Sequence, residues 1–387
     1  MKRMAIFYFL FFLAQAAYAP YVSLYFSGKG WDGTSIGVVL SLWSLVGIAA
    51  QPAMGLLNDR LRHPRRLLML AAVLAPVTAL GFIAFDSYAV VLAVSVVFAW
   101  FQSAANPLAD TIAVETAARE GFAFGSVRLW GAFSYAVGTL VTGFLYVRTG
   151  YEWSFPTYLA ISLIAVASLL SFRQPAGVRH RVTLFNQAKD VVRNRAFLLF
   201  TFISLLLTIA LAVNASFLPI YYKEMGFDKS LIGTAYAIAA LTEVPMFWAA
   251  AKIAARIGRY AVLGIAALCY VAKCFLMYAV PGIHLALALQ TLDGIAFAFF
   301  ASMTVETVEA FSGERTKATY QSVFAAGTYG LGGIIGNTAG GAVIDREGAP
   351  FLYAVLGTLS LVSLALYAGF GLSRRRRARE EGSGIGL

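Results

Sequence analysis

Six ionisable side chains lie deep inside long apolar stretches of this sequence. They are Asp110, Arg128, Glu243, Lys273, Asp293 and Glu306. A charge buried away from water costs between ~3 and over 10 kcal/mol, so each of these residues needs a partner or a task. Apolar surroundings raise the pKa of a carboxyl group towards the range where it loads and releases a proton near neutrality. These residues are therefore candidates for proton transfer and for binding a polar solute.

The elements that must position these residues are long and apolar. Hydrophobic residues make up 60% of the 387-residue chain and charged residues only 13%, against the ~25% charged residues of a soluble domain. Most of the twelve apolar stretches have the ~20 residues that cross a bilayer, and none shows the alternation of a barrel strand. Their approximate bounds are 4–27, 34–57, 66–85, 88–114, 122–147, 153–172, 196–222, 230–251, 260–280, 283–308, 317–343 and 350–372. The sequence therefore predicts an all-α membrane protein with twelve transmembrane helices, numbered here as spans 1 to 12.

Positive charge is distributed unevenly between the two ends of the predicted spans. With both termini inside, 23 of the 30 Lys and Arg residues fall on the cytoplasmic side and 5 on the outside. This asymmetry follows the positive-inside rule, and the run from Arg374 to Arg377 suits an anchor at anionic lipid. We therefore expect a multi-pass protein of the cell membrane with both termini in the cytoplasm. The net charge of +11 then indicates membrane lipids, not nucleic acid, as partners.

The chain repeats itself once, at an offset of 196 residues. Gly30-Trp31-Asp32 returns as Gly226-Phe227-Asp228, and Asp110 returns as Glu306. The predicted domains are an N-terminal six-helix bundle at 1–172, a cytoplasmic linker at 173–195, a C-terminal six-helix bundle at 196–373 and a basic cytoplasmic tail at 374–387. Two parallel repeats of this kind are a common transporter plan, with the substrate site between the halves at mid-depth.

Comparison of the two copies divides the buried charges into two groups. The positions equivalent to Arg128, Glu243, Lys273 and Asp293 hold the uncharged residues Phe324, Gly47, Val77 and Val97. Charges found in one half only suit substrate or proton chemistry, whereas charges common to both halves suit the scaffold and its gates. Asp110 and Arg128 share a depth and could form an ion pair. The alternative for Glu243, Lys273 and Asp293 is a static ion-pair network that fixes helix packing.

A short loop motif between spans 2 and 3 identifies a family. Gly55, Leu57, Asp59, Arg60, Arg65 and Arg66 stand in for the form G-x-L-x-D-R-x-G-R-R, with Arg62-His63-Pro64 in place of its second glycine. The loop between spans 8 and 9 holds Lys252, Arg256, Gly258 and Arg259. With this motif the chain resembles the major facilitator superfamily over essentially its whole length. The resemblance implies two pseudo-symmetric six-helix bundles that rock about a central site. We assign gating to Asp59, Arg60 and Arg256.

Three further segments resemble one branch of that superfamily. They are Arg128-Leu129-Trp130-Gly131, Ala240-Leu241-Thr242-Glu243-Val244-Pro245 and Gln290-Thr291-Leu292-Asp293-Gly294. They are similar to segments of lactose-permease-like and nucleoside-permease-like proton symporters. The resemblance implies symport of a proton with a sugar, an oligosaccharide or a nucleoside-like solute by alternating access.

We predict the following roles for the candidate residues. Substrate binding is assigned to Arg128, Trp130, Asn214, Glu243 and Lys273, and proton coupling to Glu243, Asp293, Asp110 and Glu306. The alternative role for Trp130 is helix packing alone. The sequence contains no nucleophile–base pair, nucleotide motif or metal-ligand spacing, so we expect a protein that is not an enzyme and has no cofactor or metal. We also expect a monomer. The alternatives are a proton-coupled exporter of drugs or sugars and a non-transporting receptor or scaffold.

Overall fold

The protein is described here from a computed structural model. It covers residues 1–61, 63–170, 191, 193–280, 282–313 and 316–382, with the backbone alone at 59 and 375–382. Most of the predicted linker, at 173–190 and 192, and the end of the predicted tail, at 383–387, lie outside the described residues.

Helices account for all the regular secondary structure in the described part of the chain. In order they are Lys2–Tyr18, Val22–Gly28, Gly33–Leu61, Pro64–Ala79, Gly81–Ala84, Tyr88–Glu120, Phe124–Thr149, Ser154–Leu170, Arg195–Glu224, Leu231–Ile257, Arg259–Tyr278, Ile283–Ala288, Gln290–Phe311, Lys317–Ala325 and Leu331–Gly382. Short 3-10 turns occur at Ala19–Tyr21 and Tyr151–Trp153, and a π-helical turn at Ala326–Gly330. The apolar stretches therefore fold as predicted.

Among the described residues, eleven helical segments are long and apolar enough to cross a membrane. The last of them, Lys317–Arg374, is 58 residues long, about twice the length of an ordinary span. Its backbone leaves the helical conformation at Gly348, where φ is 83°. This break lies between the predicted spans 11 and 12. Counted as two spans, the segment agrees with the prediction of twelve transmembrane helices.

The repeated sequence builds the same turn twice. After spans 1 and 7 the chain passes through Gly30 and Gly226, whose positive φ angles of 84° and 66° favour glycine. Asp32 and Asp228 then accept hydrogen bonds of 2.8 and 2.9 Å from a backbone N–H in the segment that follows. Hydrogen bonds from a nearby serine lower the pKa of both carboxyl groups. The two copies of the repeat therefore share the backbone conformation of this turn as well as its sequence.

Contacts along the chain define two compact units. Unit 1 holds the described residues of Met1–Arg181, Val213–Leu241 and Gly333–Ala349, and unit 2 those of Val182–Ala212, Thr242–Gly332 and Pro350–Leu387. Unit 1 therefore adds segments of spans 7, 8 and 11 to the predicted N-terminal bundle. Small residues allow this association, since a Cβ on Gly143 would lie only 3.0 Å from the Cα of Gly233.

The core of unit 1 lies around span 1. Span 1 packs against spans 5 and 6, and span 4 packs against spans 2 and 3. Phe7 and Phe11 of span 1 are buried there, with their rings stacked at 5.5 Å between centres. Within unit 2, span 10 packs against spans 9 and 11. These contacts set which faces of neighbouring spans meet, and five of the six candidate charges lie on spans 4, 5, 9 and 10.

Candidate functional site

Span 1 presents a polar and aromatic face to span 4 within unit 1. Tyr8, Phe12 and Gln15 are four and three residues apart, the spacing of one helix face. Tyr8 Oη donates a hydrogen bond to Asp110 Oδ1 at 2.6 Å, and Gln15 Nε2 donates one to Asn106 Oδ1 at 2.7 Å. Asn106 and Asp110 are one helical turn apart on span 4. The two helices are therefore joined by two matched polar contacts.

Arg128 lies on span 5 beside this face. Its guanidinium carbon lies 4.4 Å from the centre of the Phe12 ring, in cation–π contact, and the residue is exposed. The salt bridges found in the described part of the chain do not include Arg128. The ion pair with Asp110 considered from the sequence is therefore not formed, because Asp110 is held by Tyr8 and Arg128 by the ring. Tyr8, Phe12, Asp110 and Arg128 are called the Asp110 cluster below.

Trp130 and Asn214, the other substrate candidates of unit 1, lie in different surroundings. The Trp130 side chain is 47% exposed, and its ring meets that of Phe133 edge-on at 6.3 Å. Since residues two apart on a helix point in different directions, span 5 does not bring Trp130 onto the face of Arg128. Asn214 on span 7 is buried. The substrate roles of both residues stay predictions.

Tyr8 and Phe12 were not among the site residues predicted from the sequence. The available signal was their spacing with Gln15 on one face of span 1, which is typical of a helix contact. In a chain with 30 Phe and 19 Tyr residues, however, such a pair is explained as packing. Only the position of span 4 relative to span 1 shows that Tyr8 meets a carboxylate.

The hydrogen bond from Tyr8 has a testable consequence. We expect Tyr8→Phe to lower the unfolding free energy by about 1 kcal/mol, since the half-buried Asp110 loses its donor. Substrate affinity should also fall, by about fivefold, because the cluster loses its fixed geometry. Thermal unfolding in detergent and transport KM measure the two effects. Tyr25→Phe, which removes the bond from Tyr25 Oη to the Phe82 carbonyl (2.8 Å) elsewhere in unit 1, should reduce stability alone. Equal KM changes in both variants would contradict a role for the cluster in binding.

In unit 2, Lys273 of span 9 and Asp293 of span 10 form a buried ion pair. Lys273 Nζ donates to Asp293 Oδ1 at 2.8 Å, with the lysine side chain 0% exposed and the aspartate 20% exposed. Nζ also lies 5.4 Å from the centre of the Tyr270 ring. Two residues that the sequence placed at a common depth are therefore in direct contact. Since Lys273 has no exposed surface, its charge is compensated by Asp293 inside the protein.

Glu243 and Glu306, the two other candidate carboxylates of unit 2, differ in exposure. Glu243 is half-buried in span 8, and this helix continues through Pro245. Glu306 on span 10 is exposed, whereas its repeat equivalent Asp110 is half-buried and hydrogen-bonded. The repeat therefore conserves a carboxylate at this position but not its surroundings.

The predicted gating residues lie at equivalent helix ends. Arg60 is in the last turn of span 2 and Arg256 in the last turn of span 8, and both are exposed. The side chain of Asp59 lies outside the described residues. Among the residues that the structure covers, no group of three or more His, Cys, Asp or Glu could hold a metal ion.

Comparisons with known proteins give one consistent family. The model of the MFS_1 like family matches residues 1–355. The chain is 28% identical to the maltose permease of Geobacillus stearothermophilus over 97% of this chain and 95% of the permease. It is 27% identical to the "Probable 3-phenylpropionic acid transporter" of Escherichia coli (strain K12) over 85% and 88% of the two chains. The crystal structure of the nucleoside transporter NupG superposes with a TM-score of 0.80 at 20% identity, covering 96% of this chain and 98% of NupG.

Proposed function

We propose that this chain, a multi-pass membrane transporter that belongs to the MFS_1 like family, imports a small polar organic solute together with a proton. The observation that carries the proposal is the buried ion pair of Lys273 and Asp293. Its repeat-equivalent positions hold valines, so the scaffold of the fold does not require it. Burying charges in the membrane costs free energy, so a charge pair present in one half only suits a role in proton transfer. The proposed carrier is a monomer in the cell membrane with both termini in the cytoplasm.

The proposed solute is a sugar, an oligosaccharide or a nucleoside-like compound. The exposed residues Arg128 and Asn106, beside the Phe12 ring, offer charged donors, an amide and an aromatic ring, which together suit a ring with several hydroxyl groups. Trp130 stays a predicted substrate-binding residue on another face of span 5. The relative named maltose permease supports the sugar class. Glu243, Lys273 and Asn214 stay predicted substrate-binding residues.

A small organic carboxylate is the second candidate. The exposed Arg128 guanidinium, held over Phe12 and outside the salt bridges of the described residues, is the observation that favours it. A guanidinium binds a carboxylate in a bidentate geometry. The relative named for 3-phenylpropionic acid supports this class. Thermal-shift screening of sugars, nucleosides and carboxylates separates the two candidates.

Proton coupling is assigned to a carboxylate of unit 2. Protonation of Glu243 or Asp293 removes one negative charge inside the membrane, and a neutral carboxyl group moves through apolar surroundings at lower cost. Reorientation of the loaded carrier would then follow protonation. Asp110 and Glu306 are the further coupling candidates, in the first and second half respectively.

Transport by purified protein in vesicles tests the proposal. An inward proton gradient should accelerate net uptake of the solute found in the thermal-shift screen. We expect Glu243→Gln to retain counterflow but to lose the response to the gradient, about tenfold in initial rate, because Gln cannot carry the proton. Glu309→Gln, at an exposed position of span 10 and outside the coupling candidates, is the matched control. Uptake that ignores the gradient and is unchanged in E243Q would refute proton coupling through Glu243.

A further inference from the structure

Asp345, at the end of span 11, caps the first turn of span 2. Its Oδ1 accepts a hydrogen bond from the backbone N–H of Gly33 at 2.6 Å. Its Oδ2 accepts one from the Thr34 N–H at 2.7 Å and one from Thr34 Oγ1 at 2.5 Å. One carboxylate therefore satisfies two of the N–H groups that a helix start leaves free, at the positive end of the helix dipole.

The capping contact lies at the end of a close seam between spans 2 and 11, inside unit 1. Ser41 Oγ donates to the Ile334 carbonyl at 2.9 Å and shares a hydrogen bond of 2.7 Å with Thr338 Oγ1. Nearer the cap, a Cβ on Gly37 would overlap the carbonyl oxygen of Asn337. The two backbones thus approach closely along the seam, and Asp345 closes it at the start of span 2.

Span 2 also has an N-cap of its own, so stabilising the helix start and joining it to span 11 are done by different residues. Asp32 accepts a hydrogen bond from the Ser35 N–H at 2.8 Å and so stabilises the helix start within one segment. Asp345 serves the N–H groups that Asp32 leaves, and it reaches them from a part of the chain 312 residues away. The residue equivalent to Asp345 in the first half is Thr149, whose hydroxyl bonds to Leu145 of its own helix. The contact made by Asp345 is therefore specific to spans 2 and 11.

We propose that Asp345 is a latch that holds spans 2 and 11 together on the outer side of the membrane. The inference rests on the proposed alternating-access function and orientation, which place the start of span 2 outside. Parting the two spans there breaks three hydrogen bonds to one carboxylate. Since Asp345 is exposed, hydrogen bonds to water replace part of the three that are lost. The latch therefore shifts the equilibrium between the closed and outward-open conformers and does not fix one of them. Removal of an N-cap carboxylate should raise the outward-open fraction about fivefold.

Thiol labelling in intact cells tests the latch. Ser44 of span 2 lies against Gly333 of span 11, so a cysteine placed at Ser44 reports the opening of the seam. The background carries Cys269→Ala and Cys274→Ala, and the probe is a membrane-impermeant maleimide applied outside. We expect Asp345→Ala to raise the initial labelling rate about fivefold. Thr34→Ala, which removes one of the three hydrogen bonds, should raise it less.

Two control variants separate a latch from a general loss of structure. Glu347→Gln removes a negative charge two residues away from Asp345, and Asp32→Ala weakens the start of span 2 without touching span 11. Both should label at the unaltered rate. Equal rates in D345A and E347Q, or an increase in D32A as large as in D345A, would overturn the proposal. If D345A fails to fold, as judged by gel filtration, Asp345→Asn and T34A carry the same test. Labelling needs neither solute nor gradient, so the latch can be tested separately from proton-coupled uptake, and a failure of one proposal can be told from a failure of the other.

Discussion

Replacing Asp293 with Asn is expected to reduce the rate of gradient-driven uptake about 100-fold and to lower the unfolding free energy by about 3–5 kcal/mol. Asn keeps an oxygen within reach of Lys273 but removes the compensating charge, and Lys273 is fully buried. The variant also lacks the carboxyl group proposed to carry the proton. Initial uptake rates in vesicles and thermal unfolding in detergent measure the two effects.

The double variant Lys273→Met with Asp293→Asn tests whether this ion pair only fixes helix packing. Without either charge, no uncompensated charge remains in the core, and stability should return close to that of the unaltered protein. If Asp293 carries the proton, uptake driven by the gradient stays lost in the double variant. Recovery of that uptake together with stability would instead show a static pair that only fixes the packing of spans 9 and 10.

A surface ion pair provides the control for Asp293. Lys29 Nζ lies 3.0 Å from Asp86 Oδ1, and the Asp86 side chain is 94% exposed. Because solvent screens such a pair, Asp86→Asn should change stability by no more than about 1 kcal/mol and leave uptake intact. A comparable loss of uptake in D86N would indicate a non-specific effect of removing a negative charge.

Replacing Arg128 with Ala is expected to raise the KM for the solute by about 10- to 100-fold, which corresponds to the loss of one charged hydrogen bond. The guanidinium is exposed and positioned over Phe12, so its N–H groups are available to a ligand. Arg148→Ala, at an exposed position near the end of the same span, is the control. An unchanged KM in R128A with normal folding would exclude Arg128 from the solute site.

Arg128→Lys distinguishes the two solute classes. Lysine keeps the positive charge but cannot reproduce the planar, bidentate hydrogen bonding of a guanidinium. For a carboxylate solute, charge attraction persists, and we expect R128K to retain more affinity than R128A. For a neutral polyol, geometry matters more than charge, so R128K and R128A should have similar KM values.

Much of the fold could be predicted because it follows from local properties of the chain. Apolar stretches of membrane-crossing length form helices whatever their neighbours, since the backbone must satisfy its own hydrogen bonds in lipid. The break at Gly348 falls where the prediction separated spans 11 and 12. The turns at Gly30 and Gly226 likewise follow from the repeat. The family resemblance drawn from the loop motif between spans 2 and 3 is confirmed by the match over residues 1–355.

The partners of the charged residues were less predictable. Depth along a helix follows from residue number, and on that basis Asp110 and Arg128 were considered as a pair. Contact depends also on the rotation of each helix and on competing neighbours, and Tyr8 holds Asp110 while Phe12 faces Arg128. Lys273 and Asp293 were placed at one depth by the same method, and here the helix faces do meet.

A twelve-span transporter with a repeated architecture and a few one-sided buried charges could therefore be predicted from the sequence alone. These properties depend on composition, helix length and the similarity of its two halves. The helix packing was needed to show that Lys273 is compensated by Asp293, that Tyr8 binds Asp110 and that Asp345 caps span 2. Such contacts join residues up to 312 positions apart, so the local sequence pattern does not reveal which side chains come within hydrogen-bonding distance.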